Sequence, residues 1–106
     1  MASDITYHCL FRYSDSFRSE DITRIKRQLE KMPLLSDVYV IVFRQGAHDP
    51  VEFFHSRQLS QRYYKKNPPV ILAIVKDYAE AVTMVQYFVN ECLKKRGDCN
   101  LKEYFL

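Results

Sequence analysis

Apolar positions along the chain follow two different patterns. Val38-Tyr39-Val40-Ile41-Val42-Phe43 and Val70-Ile71-Leu72-Ala73-Ile74-Val75 are uninterrupted runs of strand length, as expected for strands covered on both faces. Residues 5–12, ITYHCLFR, alternate loosely and are rich in β-branched and aromatic types, which predicts a first strand with one face more buried. Between them Ile22, Ile25, Leu29 and Met32 recur at spacings of three and four, a helical stripe with charged residues outside it. That helix begins near Ser16 or Ser19, where hydroxyl and carboxyl side chains can accept from free helix N–H groups, and Pro33 ends it.

After the second strand, residues 45–50 have turn composition. Val51-Glu52-Phe53-Phe54-His55 reads as a short returning strand, with Pro50 suited to its first position or to an edge. Residues 57–66 are read as one short helix, whose 100° steps put Leu59 and Tyr63 toward the core and Gln61, Arg62 and Lys65 outside. Pro68-Pro69 stops it. From Tyr78 to Lys95 the apolar residues cover a wide helix face, and Gly97 supplies a C-terminal stop. The tail from Asn100 to Leu106 ends in three apolar residues, and its pattern specifies no element.

The order strand, helix, strand, strand, short helix, strand, long helix predicts an α/β domain spanning residues 1–106. The expected arrangement is a small doubly wound, mostly parallel sheet with helices on its faces and one short antiparallel strand. The first strand is expected between the second and the fourth. A ferredoxin-like α+β sandwich with an extra C-terminal helix is the alternative, but it places the two most apolar strands at the sheet edges.

Composition changes this picture little. The 106 residues include 47% apolar types, 2 Gly and 4 Pro, enough to offset the entropy of ordering. Without a basic region followed by a long apolar run, and with no segment near the roughly 20 apolar residues of a membrane span, the expectation is a cytoplasmic protein without a membrane partner. Cys9, Cys92 and Cys99 lack disulfide-framework or zinc spacing, so reduced thiols and no cofactor are expected.

Charge changes it more. The net charge is +3, yet no acid lies between Phe53 and Lys76, where Arg57, Arg62, Lys65, Lys66 and Lys76 stand. Four of these cations lie in the segment 57–66. Arg57, Arg62, Lys65 and Lys66 could meet phosphates while Tyr64 stacks on a base, giving a nucleic-acid-binding alternative; an acidic protein partner is another reading of the same charge.

In an open parallel sheet, ligands sit beyond the carboxyl ends of the strands. That rule would gather Ser14, Asp15 and Ser16 with Arg44, His48, Asp49, Lys76 and Asp77. Ser14, Asp15, Ser16, Arg44 and Lys76 form a candidate anion site, although the first loop lacks the glycine a phosphate cradle normally uses. Cys9 has His8 and His55 as candidate bases, but neighbours in a strand point to opposite faces. No catalytic or metal-binding residue is therefore assigned, and the weight falls against an enzyme. The leading expectation is a small interaction or regulatory module that self-associates, either through residues 78–93 or through Tyr104-Phe105-Leu106, whose apolar supply exceeds the need of one small sheet face.

Overall fold

The computed structural model describes residues 5–44 and 50–105. Four strands, β1 (Thr6–Tyr13), β2 (Tyr39–Phe43), β3 (Val51–His55) and β4 (Val70–Val75), form one mixed sheet in the order β1-β4-β2-β3. Helices α1 (Ser19–Lys31), α2 (Arg62–Lys66), α3 (Tyr78–Arg96) and α4 (Leu101–Phe105) accompany it, with 3-10 segments at Pro33–Leu35 and Ser56–Ser60. His48 and Asp49 lie outside the described residues, as does Leu106.

The two continuous apolar runs pair with each other at the centre of the sheet. Val40, Ile41, Val42, Ile71, Leu72, Ala73 and Ile74 are all fully buried. On one face Val40, Val42, Ile71 and Ile74 join Ile22, Ile25 and Leu29 of α1 and Leu59. On the other, Ile41, Phe43, Leu72 and Ala73 join Phe88 of α3 and Phe105 of α4. Two neighbours on β4, Leu72 and Ala73, share a face because the β2–β4 register shifts by one residue there, from Ile41↔Ala73 to Val42↔Ile71. A bulge of this kind inserts one residue and turns the following side chains over.

Helices on both faces agree with the expectation, but the mostly parallel sheet does not form. Only β1–β4 is parallel, while β2–β4 and β2–β3 are antiparallel. The first strand lies at an edge rather than between β2 and β4. The physical reason is burial: β1 is half exposed, whereas β2 and β4 each need cover on both faces and find it by becoming mutual neighbours. The ferredoxin-like alternative fails on the same ground, since it would put β2 and β4 at the edges.

Local signals act largely where the sequence puts them. The Asp21 carboxylate accepts the Arg18 N–H at 3.0 Å and anchors the start of α1. Asp77 accepts the Glu80 N–H at 2.9 Å at the start of α3, and Gly97 ends α3 with φ 80°, the left-handed conformation glycine adopts without a Cβ penalty. Met32 departs from its helical stripe, because the backbone has already left the helix there (φ −144°) and turns the side chain outward. The tail forms α4, and its Phe105 is buried against Phe43 and Phe88.

Leu72→Ala should cost about 2–5 kcal/mol, the transfer free energy plus the cavity left at a fully buried site. Urea unfolding measures it, and a loss below about 0.5 kcal/mol, typical of exposed positions, would place Leu72 outside the core.

Candidate functional site

At the strand ends, Ser14, Asp15 and Ser16 follow β1 and Lys76 follows β4, at the same end of the parallel β1–β4 pair. Ser14 and Asp15 line an open hollow of about 370 Å³ together with Glu80, while Ser16 and Lys76 reach the group through Glu80. Glu80 fills the role of an anion there. Its carboxylate accepts the Lys76 N–H at 2.7 Å and the Ser16 hydroxyl at 3.0 Å. Ser14 Oγ in turn accepts the Ser16 N–H at 3.0 Å. Partial burial pushes the Glu80 carboxyl up, but the hydrogen bonds from Lys76, Ser14 and Ser16 outweigh it and hold the group below its usual range.

Arg44 does not join this group. Because β2 runs antiparallel to β4, with Phe43 opposite Val70 and Tyr39 opposite Val75, Arg44 emerges at the other end of the sheet from Lys76. Its guanidinium donates to Glu52 Oε1 at 2.8 Å and to Tyr63 Oη at 2.7 Å, and the Glu52 bond raises its already high pKa.

The segment 57–66 is two pieces rather than one helix. Gln61 is extended (ψ 147°) between the 3-10 segment and α2, and this break interchanges the two tyrosines relative to the expectation. Tyr64, expected outside, packs its ring 4.9 Å from that of Phe54 and donates to Glu52 at 3.3 Å. Burial, and then the Glu52 charge, raise its pKa. Tyr63, expected inside, is 47% exposed. Arg57, Arg62, Lys65 and Lys66 are exposed around this pair.

His8 and Cys9 lie closer than strand geometry suggests. The β1–β4 register jumps between Tyr7↔Ile71 and Arg12↔Ala73, so β1 bulges and Cys9 Sγ comes 3.7 Å from His8 Nδ1. That nitrogen accepts the Leu10 N–H at 3.0 Å, which leaves Nε2 protonated and donating to the Phe105 carbonyl at 2.8 Å. The imidazole thus ties the bulge to α4. His55 acts similarly: Nδ1 accepts the Arg57 N–H at 3.1 Å, and Nε2 donates to Asp37 at 2.9 Å. That bond lowers the Asp37 pKa. Among the described residues no group of three or more His, Cys, Asp or Glu is placed to hold a metal ion, and no helix is long and apolar enough to cross a membrane.

A third place was not singled out from the sequence. Between the C-terminal end of α1 and the segment Ser56–Lys66 runs a groove of about 540 Å³, floored by Ile5, Leu29 and Leu59 and walled by Tyr64 and Pro69. At its mouth Met32, Leu34 and Leu35 are 57%, 64% and 63% exposed, with Lys31 and Lys65 on the rim. Buried hydroxyls brace it: Ser36 Oγ donates to the Pro33 carbonyl at 2.5 Å, Ser56 Oγ donates to Ser36 Oγ at 2.7 Å, and Ser56 Oγ accepts the Val38 N–H at 3.3 Å. The signal was Met32-Pro33-Leu34-Leu35, three apolar side chains around a proline where a helix has just ended. Comparisons with protein-family models, curated proteins and solved structures find no match for the chain.

Two outcomes follow from these contacts. Tyr64→Ala should destabilise by about 2–4 kcal/mol through lost packing, and the exposed Tyr63→Ala by about 1 kcal/mol or less, in urea titrations; equal losses would contradict the inward position of Tyr64. The Glu80 carboxyl has a folded pKa below its unfolded value, so its stabilisation is present above pH 4.5 and disappears as pH falls through the folded value. Glu80→Gln should therefore lower the melting temperature at pH 7 and match the wild type increasingly well on acidification toward about pH 3; a gap that stays constant with pH would show that the charge contributes nothing.

Proposed function

We propose that the chain is a small non-enzymatic interaction module that takes an acidic, apolar-anchored segment of another protein into the groove between α1 and residues 56–66. The observation that carries this reading is the exposure of Met32, Leu34 and Leu35 at the mouth of an apolar groove. Large exposed apolar side chains gathered around one concavity mark interaction sites. Burying them on association would contribute roughly 25 cal/mol per Å².

Charge selects the occupant. Lys31 and Lys65 sit on the rim, and Arg57, Arg62 and Lys66 are exposed nearby, against Glu30 as the acid among the lining residues. An acidic segment therefore gains steering and register, while apolar anchors supply the affinity. A single-stranded nucleic acid would use the same cations, but Tyr64 is turned into the core and Tyr63 accepts a hydrogen bond from Arg44.

Panning a random dodecapeptide library on the whole protein tests the reading. Enriched peptides should carry acidic residues beside two or more large apolar ones. In anisotropy titrations Leu34→Glu should weaken their binding by about tenfold or more while leaving the melting temperature unchanged, since an exposed side chain contributes little to folding. Failure to enrich peptides, or peptides indifferent to Leu34→Glu, would overturn the groove. Tight oligonucleotide binding, with a log–log salt slope near −3 from four phosphate contacts, would replace it with the nucleic-acid reading.

A further inference from the structure

Hydrogen bonds from Arg44 N to the Pro50 carbonyl and from Ser56 N to the Val38 carbonyl, both 2.8 Å, bracket the β2–β3 ladder, whose register is unbroken between them. Antiparallel ladders alternate hydrogen-bonded and open positions. Pro50, Glu52, Phe54 and Ser56 therefore turn their main-chain groups toward β2, while Val51, Phe53 and His55 turn theirs outward. Among the described residues no strand pairs with that side.

The two sheet edges differ. β1 is interrupted between Tyr7 and Arg12, and the His8 imidazole takes one of its N–H groups. Bulges and self-satisfied donors are the usual protections of an edge. β3 has no bulge, proline or lysine. Its two ionisable side chains are paired within the chain, Glu52 with Arg44 at 2.8 Å and His55 with Asp37 at 2.9 Å. Tyr78, 61% exposed, leans edge-on against Phe53 at 5.3 Å.

From this edge we infer that two copies of the chain associate through β3, antiparallel about a two-fold axis at Phe53. The inference is independent of the groove. In this register Phe53 faces Phe53 of the second copy, and Val51 faces His55. Outward-turned residues meet only outward-turned residues, so each such pair can exchange two hydrogen bonds. Glu52 falls opposite Phe54, so no like charges meet. The interface is isologous and closed, and the central aromatic pair adds a cross-strand contact. The surface differs from the two expected from the sequence, residues 78–93 and the tail, of which the tail has Phe105 already buried in its own core.

Sedimentation velocity with the whole chain tests it. The wild type should form a dimer by about 100 µM, the range where weak association is read by mass action. Phe53→Pro removes an N–H that β2 does not use, and Phe53→Lys keeps the N–H but sets like charges face to face across the axis. With folding verified by circular dichroism, each should weaken dimerisation by about tenfold or more. A wild type that stays monomeric would overturn the inference. So would a dimer that the folded variants leave intact, or one that Leu34→Glu breaks instead, since that result would put the second copy in the groove.

Discussion

Two apolar strands that each require cover on both faces can satisfy that need most fully by lying side by side under helices. The β2–β4 pairing does this, and the rest of the structure depends on it. Once Val40–Val42 and Ile71–Ile74 occupy the centre, the more exposed β1 and the short β3 take the edges. The connection carrying α1 crosses one face, and α3 with α4 closes the other. The antiparallel sense of the pair also sends Arg44 and Lys76 to opposite ends of the sheet. Direction of pairing, more than residue type, thus decides which polar groups can meet.

Those polar groups are largely engaged with one another. Glu80 takes donors from the first turn and the last strand end, Glu52 takes Arg44 and Tyr64, and Asp37 takes His55. Each carboxylate takes up hydrogen-bond donors that an incoming anion would need. These polar clusters therefore act as fasteners between elements, whereas Arg57, Arg62, Lys65 and Lys66 stay exposed beside the apolar groove.

The elements were legible in the sequence because their signals are local. Continuous runs identified β2 and β4, the three-and-four spacing identified α1, and Gly97 identified the end of α3. Strand order was harder to read because it depends on which surfaces compete for burial, and a periodic pattern carries no partner or direction. Tyr63 and Tyr64 were interchanged by the extended backbone of Gln61, where nothing in the residue type demands a break. The closeness of His8 and Cys9 was hidden by a bulge. The groove escaped notice because Leu34 and Leu35 fall between elements, where apolar residues belong to no face until the fold supplies one.

Charge separates the two proposed recognition surfaces. The groove is apolar inside and ringed mainly by cations, an arrangement that under the proposed reading would discriminate against an identical chain presenting the same cations and would favour an acidic partner. The β3 edge has its acid and its histidine already paired, so in the proposed dimer it would neither attract nor repel by sign and would select by hydrogen-bond register, which an identical strand matches. Ser56 joins the two: it follows β3 directly, donates its N–H to Val38, and braces the groove through Ser36. A strand docked on β3 would therefore stiffen the element from which the groove wall departs, and the same buried hydroxyl pair would hold both surfaces in place.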